Sequence, residues 1–421
     1  MTVYQYQDQT IHKHEKFIAF RRNINVILLF VFAVNAIFLP ADTFELKKIA
    51  LILLLVCNLD CFLKMRSWDE WLTVLVGFGL TSVAIGWSFL LTGDLYNNIR
   101  IGYVGYIVML YPIIKQYRIR AVRLILHVWI AMAYFVVIMG LLDVIGLISM
   151  YDNPYLMWIY HTGNALVGKG SHLPIGYMIF MKTSPMLFLC LAYTFVQPRS
   201  FLEPYCFSKL KYVNAAVVTL ALVLSGTRAN MLICGAFVLF CFVYCKRSRT
   251  KQMLWILGMG LLALYTVADS SLFQMVLDVF VRKASSDEVR NGIVSSIFNV
   301  WRENPIKLLI GSGFSKTFFN AGRGEEAYNV ELSYWNLLRQ VGLPMFLAMM
   351  VGYLYPAVRM LKKGKNVLIV LGYVCYLAVA YTNPLLHSST GMTVLLFMYC
   401  LCFSDVDFEN NENEMKELWL S

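Results

Sequence analysis

The hydrophobic pattern of the chain is a series of apolar runs separated by short polar segments rich in lysine and arginine. A helix needs roughly 20 apolar residues to cross a bilayer. The pattern predicts about twelve membrane spans, counted as apolar runs on a transfer scale. They lie near residues 24–39, 49–63, 71–92, 101–114, 124–148, 176–197, 212–224, 229–245, 252–267, 334–358, 367–385 and 392–403. The predicted fold class is therefore an all-α integral membrane protein.

Composition supports this class, because 59% of the 421 residues are hydrophobic and only 14% are charged. A soluble protein of this length could not hide so much apolar surface. The apolar runs continue along the whole chain and leave no room for a separate soluble domain. Residues 1–421 are thus predicted to form a single polytopic membrane domain. It has one long loop near 268–333 and an acidic tail near 404–421.

Clusters of lysine and arginine predict the orientation, since such clusters collect in cytoplasmic loops. One cluster precedes the first predicted span, and others follow the second, fourth, sixth, eighth and tenth spans. All of them fall on one side, so both termini are predicted to be cytoplasmic. These clusters also explain the net charge of +11, which therefore does not indicate nucleic-acid binding.

The long loop on the opposite side has structure of its own. Ser285-Ser-Asp-Glu288 is typical of a capping box, and apolar residues then recur at helical spacing. An amphipathic helix is predicted near 286–304, lying on the membrane or over a cavity. The cations of the loop are Arg282, Lys283, Arg290, Arg302, Lys307, Lys316 and Arg323. They are candidate ligands for an anionic substrate, and the alternative is a solvated loop of mixed charge.

Arg228 lies in a short turn, Leu224–Met231, between two apolar runs. The run before the turn is short for a full crossing, so the turn is predicted to lie below the membrane surface. A guanidinium at that depth costs at least about 2.5 kcal/mol unless it has a partner. A phosphate is a suitable partner, because it matches the planar fork of donors. The alternative is an interfacial arginine that reaches water.

Other polar positions on this side have more ordinary interpretations. Asp143 and Lys182 lie near the outer ends of neighbouring predicted spans, and an ion pair between them is expected. His161 and His172 lie in an aromatic loop near 149–175. Either could contact a sugar, and the alternative is a pair of surface histidines.

The order of motifs in the second half is similar to a known family. The stretch Arg290–Phe314 combines an arginine, an amphipathic helix, Asn304-Pro305 and a Gly311-Ser-Gly-Phe314 turn. The short turn around Arg228 and the segment Glu331–Gly342 fit the same pattern. This order resembles the O-antigen polymerase and O-antigen ligase superfamily of bacterial envelope proteins. Ligases of that superfamily usually carry a histidine eleven residues before the glycine that matches Gly342, where this chain has Glu331.

The resemblance therefore favours a Wzy-type polymerase in the bacterial inner membrane, with a GT-C-like fold. Such polymerases join oligosaccharide repeat units on undecaprenyl diphosphate at the periplasmic face. The implied partners are the lipid-linked oligosaccharide, membrane lipid and a chain-length regulator protein. The implied reaction needs cations at the leaving diphosphate and a base at the acceptor hydroxyl. It needs no metal or other cofactor if arginines neutralise the diphosphate.

The residues expected to carry this reaction follow from those two needs. Arg228 and Arg290 are expected to meet the diphosphate, with Arg339 as a third cation, in one cavity open to the outer leaflet. Glu331 is expected to be the base. The alternatives are an interfacial anchor for Arg339 and a salt bridge to a loop cation for Glu331. Further expected contacts with substrate are Arg282, Arg302, Lys316, Arg323 and His172.

Two other functions stay open. One is an O-antigen ligase, which transfers the finished polymer to the lipid A core. The other is a lipid-linked sugar flippase or secondary transporter, for which twelve spans are equally suitable. Transporters often have two related halves. No such repeat is visible in this chain, and the long loop has no counterpart in the first half.

Overall fold

The structure is a computed structural model that describes residues 3–39, 45–115, 118–169, 177–195, 207–244, 284–364 and 367–403. It is mostly helical, at 76%. Two short antiparallel hairpins, β1 with β2 and β3 with β4, lie between helices. The chain is thus mostly helical as predicted, and these hairpins are the departure from the all-α class.

The first half is a run of helices with one hairpin. Its elements are α1 (Val3–Phe38), α2 (Leu46–Val56), α3 (Leu59–Leu63), α4 (Trp68–Val74), a π-helix (Leu75–Leu80), α5 (Thr81–Thr92), α6 (Leu95–Gly102), a 3₁₀ helix (Tyr103–Leu110), α7 (Tyr111–Lys115), α8 (Arg118–Val144), α9 (Pro154–His161), β1 (Ala165–Lys169), β2 (Tyr177–Met181), a second 3₁₀ helix (Ser184–Met186) and α10 (Leu187–Phe195).

The second half contains the other hairpin. Its elements are α11 (Phe207–Leu224), α12 (Arg228–Tyr244), α13 (Ala284–Glu303), α14 (Ile306–Ile310), β3 (Phe318–Asn320), β4 (Glu325–Ala327), α15 (Ser333–Val341), α16 (Leu343–Lys362), α17 (Val367–Ala380) and α18 (Ser389–Phe403).

Four helical stretches of the described chain are long and apolar enough to cross a membrane: Phe20–Phe38, Trp68–Thr92, Ala121–Val144 and Leu343–Lys362. Five shorter apolar helices correspond to the sixth, seventh, eighth, eleventh and twelfth predicted spans. The ninth predicted span, 252–267, lies outside the described residues. These helices indicate a membrane-embedded protein. The number of about twelve membrane spans, which rests on hydrophobicity, stays a prediction.

Two predicted spans begin in the wrong place. The sixth was predicted from 176, but Tyr177–Met181 is a strand and the helix begins later, at Leu187. The tenth was predicted from 334, but α15 ends at Val341, its C-cap Gly342 has a φ of 77°, and a new helix begins at Leu343. In both places apolar residues beside a true span extended the hydrophobic run, because hydropathy alone does not reveal a turn.

The core of the bundle surrounds α18, of which every residue is buried. Phe397 on this helix lies 4.9 Å from the Trp129 ring of α8, measured between ring centroids. The helix begins at Ser389, at the end of the bundle that carries α6, β1, β2, α13 and α15, here called the loop-rich end. The N-terminus of this buried central helix therefore lies at the loop-rich end, and a site there would contact a well-packed helix.

The amphipathic helix predicted near 286–304 is present as α13, Ala284–Glu303. It begins before Ser285, so that serine lies inside the helix rather than at its N-cap. The apolar face packs on the rest of the long loop: Ile293, Ile297 and Trp301 form a buried cluster with Phe318, Val330 and Leu332. This face therefore contacts the loop's own strand and following segment.

Candidate functional site

Two glycines join the long loop to the helix that follows it. Gly311 and Gly342 have φ values of 81° and 77°, which non-glycine residues rarely adopt. A Cβ on Gly342 would lie 2.2 Å from the Leu309 carbonyl oxygen and 2.6 Å from the Gly311 nitrogen. The two backbones are therefore in direct contact, and the two glycine motifs of the sequence meet in space.

The Gly311-Ser-Gly-Phe314 turn fixes the loop to the first half of the chain. The Phe314 N–H donates to Ser88 Oγ at 3.2 Å, and the Ser315 N–H donates to Asn98 Oδ1 at 3.0 Å. The Phe314 ring is buried and stacks on His387, with 5.5 Å between centroids and 3° between planes. Because α6 carries Asn98, this turn also positions the side chains of α6.

A cavity of about 740 Å³ opens at the loop-rich end. Six separate parts of the chain line it, and four of the lining residues are cations. We call it the lysine cavity. Its lining is Glu45, Lys47, Lys48, Tyr96, Arg100, Tyr103, Val104, Thr162, Asn164, Lys182, Asn329, Pro384, Leu385, Ser388, Ser389 and Thr390. Its volume is within the range of about 300–1,000 Å³ that is usual for ligand sites.

The cations of this cavity differ in their surroundings. Lys47 is buried, and its Nζ donates to Ser389 Oγ at 3.3 Å, beside the first residues of α18. Lys48 instead forms an ion pair with Glu45 at 2.7 Å. Glu45 has φ 54°, and no other non-glycine residue in the described part of the chain has a positive φ. Such a conformation costs of order 1–3 kcal/mol and persists only where neighbouring contacts hold it.

Lys182 is the half-buried cation of the cavity. Its ammonium makes no hydrogen bond and no ion pair within the described residues. Burial lowers the pKa of this lysine, and the nearby carboxylate of Glu331 raises it in opposition. The lining also includes Asn329, two residues before the predicted catalytic Glu331.

A second cavity, of about 500 Å³, lies beneath the start of α13. Its lining is Val289, Arg290, Arg323, Glu325 and Glu331. We call it the loop cavity. The structure thus brings together three of the residues that the sequence nominated, Arg290, Arg323 and Glu331. Glu331 forms an ion pair with Arg323, and both side chains are about half exposed.

Arg339 holds the backbone of the long loop in place. It is fully buried on α15, outside the spanning helix, and lines neither cavity. Its guanidinium donates to the carbonyl oxygens of Lys316 and Tyr328 at 3.1 and 2.8 Å, and lies 4.4 Å from the Phe318 ring centroid. Burial lowers its pKa to about 9, which leaves it charged at neutral pH. Contact between Arg339 and the diphosphate stays a prediction.

Arg228 is the first residue of α12, after the turn Ser225-Gly226-Thr227. This matches the predicted short turn between two apolar helices, with Gly226 at φ 62°. The side chain is half-buried and makes no hydrogen bond or ion pair with the part of the chain that the structure describes. It lines neither the lysine cavity nor the loop cavity, so the expectation of one cavity shared by Arg228, Arg290 and Arg339 is not met by these two cavities.

The remaining expected contacts are dispersed. Arg302 and Lys316 are exposed and line neither cavity. Arg282 and His172 lie outside the described residues, and His161 is an exposed residue in ring contact with Tyr160. Among the described residues, no group of three or more histidine, cysteine or acidic side chains is arranged to hold a metal ion.

The expected ion pair between Asp143 and Lys182 is replaced by another. The Asp143 carboxylate accepts from Lys169 Nζ at 2.6 Å and from the Met150 N–H at 2.8 Å. The cause is the hairpin, which pairs Ala165 with Met181 and so puts Lys169 and Lys182 at opposite ends. Five-residue strands at about 3.3 Å per residue separate these ends by roughly 13 Å.

Lys47, Lys48 and Arg100 were missed by the analysis of the sequence. A signal was available, since all three lie on the side where the predicted topology disfavours cations. They were overlooked because they stand singly or in pairs in short loops, whereas the long loop holds seven cations. The spacing of the sequence gives no indication that distant short loops meet at one cavity.

No protein-family model matches this chain, and no curated protein is significantly similar to it.

Proposed function

We propose that this protein is a polymerase of envelope polysaccharide synthesis, which joins oligosaccharide repeat units carried on a polyprenyl diphosphate. In this proposal it lies in the bacterial inner membrane, with both termini in the cytoplasm and the loop-rich end in the periplasm. Its partners are the lipid-linked oligosaccharide and a chain-length regulator. The proposal rests on the family resemblance of the motifs and on the chemistry of the two cavities.

The observation that carries the proposal is the position of Glu331. This carboxylate lines the loop cavity with Arg290 and Arg323, and Asn329, two residues before it, lines the lysine cavity. A carboxylate among cations suits glycosyl transfer to a hydroxyl. Cations stabilise the negative charge that develops on a leaving diphosphate, and a carboxylate accepts the proton that the hydroxyl loses.

The proposed step balances as follows. The acceptor hydroxyl oxygen forms a bond to the anomeric carbon of the donor sugar, and the bond from that carbon to the diphosphate oxygen breaks. Glu331 takes the hydroxyl proton, and the polyprenyl diphosphate leaves with the bonding electrons. Arg228 and Arg290 neutralise the charge on the leaving diphosphate, while Arg339 holds the loop backbone at Lys316 and Tyr328.

A deletion strain tests this proposal against both alternatives. Loss of a polymerase leaves core carrying a single repeat unit. Loss of a ligase leaves bare core and polymer that stays on its lipid carrier. Loss of a flippase leaves bare core and lipid-linked single units that an added periplasmic glycosidase cannot reach. Either of the last two results would overturn the polymerase proposal.

A further inference from the structure

We propose that the lysine cavity binds an acidic sugar of the repeat unit, so that the polysaccharide built by this protein carries carboxylate groups. This inference rests on the proposed function and names the class of its substrate. The sugar envisaged is a hexuronic acid or another saccharide with a carboxylate on its ring. The alternative occupant of a cationic cavity is the lipid diphosphate.

The first argument is the charge of the lining. Four cations and one carboxylate line the cavity, which is an excess of three positive charges. Glu45 forms its ion pair with Lys48. Lys182 is half-buried and has no hydrogen-bond or ion-pair partner among the described residues. An anion would stabilise this ammonium, because an uncompensated buried charge is costly.

The second argument separates a sugar from a diphosphate. A diphosphate only accepts hydrogen bonds, whereas sugar hydroxyls both donate and accept. Asn164 uses its amide N–H groups on Thr162, with 2.9 Å to the carbonyl oxygen and 3.2 Å to Oγ1. Its amide oxygen accepts no hydrogen bond within the described residues, and Asn164 lines the cavity. A bare acceptor would face a diphosphate unfavourably, but it suits a hydroxyl.

The third argument is the rest of the neutral lining. Thr390 contributes a hydroxyl group, and Asn329 contributes amide N–H groups because its oxygen accepts from Asn336 Nδ2 at 2.8 Å. Tyr96, which is 73% exposed, contributes an aromatic ring to the lining. Most of the lining residues are polar, and they combine hydroxyl, amide and charged groups. The hydroxyls of a sugar can use this variety, whereas a diphosphate clamp has no need of it.

The presence of Lys182 and Asn329 in one lining relates the acidic sugar to the reaction. A sugar whose carboxylate is held by Lys182 lies in the same cavity as Asn329, two residues from Glu331, the proposed base. The acidic sugar is then part of the unit that supplies the acceptor hydroxyl. Binding through a remote carboxylate would orient the hydroxyl and lower the entropic barrier of the transfer.

The test uses the repeat unit that accumulates in the deletion strain. Mild acid releases it, and mass spectrometry with anion-exchange chromatography shows whether it carries a carboxylate. If single units accumulate and they are neutral, the inference is overturned while the proposed function stands. If no single unit accumulates on core, the proposed function has failed.

Binding to the full-length protein in detergent decides whether this cavity recognises the carboxylate. The probes are the released unit, the same unit with its carboxyl reduced to an alcohol, and inorganic pyrophosphate. Wild type should bind the native unit at least about tenfold more tightly than the reduced unit, the effect of one charge-assisted contact. Equal binding of both units, or displacement of the native unit by pyrophosphate, would overturn the inference.

Variants then assign the effect to the cavity. Lys182→Met should abolish the preference for the native unit, and Lys182→Arg should keep most of it because the charge remains. Lys362→Met removes an exposed lysine that lines neither cavity, and it should behave as wild type. If Lys182→Met folds and retains the full preference, the carboxylate is bound elsewhere. If it fails to fold, the inference depends on Lys182→Arg, and a loss of preference in that folded variant would count against it.

Discussion

The lysine cavity and the loop cavity lie at the same end of the molecule but differ in charge balance. The lysine cavity combines four cations with one carboxylate. The loop cavity combines two cations, Arg290 and Arg323, with two carboxylates, Glu325 and Glu331. A lining with more positive than negative side chains attracts and holds an anion. A lining with equal numbers can fix the position of a carboxylate without binding a further anion strongly. Such an arrangement suits a carboxylate that accepts a proton.

The two cavities also differ in how the chain builds them. The loop cavity comes from one stretch of sequence, 289–331, while the lysine cavity needs six parts of the chain. The segments that line the two cavities are connected by the contact between Gly311 and Gly342 and by the stacking of Phe314 on His387. The proposed reaction needs both, so breaking this connection should have the largest effect.

Gly342→Ala should abolish polymer formation. The new Cβ would lie 2.2 Å from the Leu309 carbonyl oxygen, and alanine would be held at φ 77°. The backbone strain alone is of order 1–3 kcal/mol, and the clash adds to it. The measurement is the polysaccharide ladder on a gel, together with the thermal unfolding midpoint of the purified protein, which should fall.

The matched control is Gly364→Ala. Gly364 also has a positive φ, 64°, but nothing lies within 4 Å of an added Cβ. It should keep most of the polymer, because only the conformational strain remains. If both variants lose polymer equally, the contact between the glycines is not what joins the cavities.

Glu331→Gln should keep the fold and lose about 10²–10⁴ in polymerisation rate, the usual contribution of a general base. The ion pair with Arg323 is half exposed, and such pairs contribute only about 0–1 kcal/mol to stability. The unfolding midpoint should therefore change little. The assay is the rate of polymerisation by purified protein on lipid-linked repeat units.

Glu326→Gln is the control for this change, because Glu326 is exposed and lines neither cavity. It should polymerise at the wild-type rate. A Glu331→Gln rate within about threefold of wild type, far below the effect of a lost base, would show that Glu331 only pairs with Arg323. The loop cavity would then have no role as a proton acceptor.

How much could be foreseen from the sequence differs between the two cavities. The long loop and the family resemblance of its motifs point to Arg290, Arg323 and Glu331 of the loop cavity. Lys47 and Arg100 stand in distant short loops, whose contacts leave no local pattern. Arg339 shows a related difficulty. The sequence places it at the start of an apolar run, and only the structure reveals the carbonyl oxygens that its guanidinium contacts.

Arg228→Lys should reduce polymer about tenfold, and Arg228→Ala by more, since one charge-assisted hydrogen bond contributes about 1.5–3 kcal/mol. The guanidinium is half-buried and makes no hydrogen bond within the described part of the chain, so a ligand is its expected partner. A lysine keeps the charge but cannot form two parallel bonds to phosphate. The measurement is polymer yield in stably expressed variants.

Arg66→Lys serves as the control for Arg228, because Arg66 is exposed and lies in the loop before α4. It should leave polymer unchanged. Wild-type yield from Arg228→Ala would remove Arg228 from the reaction. The anion site would then be confined to the two cavities.

The smallest effect is expected for Arg302, and its comparison with Arg290 on the same helix tests whether position or total charge matters. Arg290 is half-buried and lines the loop cavity, whereas Arg302 is exposed and lines neither cavity. Arg290→Gln should lower the polymerisation rate about tenfold, which corresponds to about 1.4 kcal/mol of lost transition-state stabilisation. The rate of Arg302→Gln should stay within about twofold of wild type, because solvent and salt screen an exposed charge beyond about 8–10 Å.

Both variants lose one positive charge from α13, so a general attraction of the loop for anions would be weakened equally. Rates measured at low and at physiological salt separate the two explanations. Equal losses at low salt that disappear together as salt rises would mean that the loop acts through its total charge, and the contrast between the two cavities would not extend to α13.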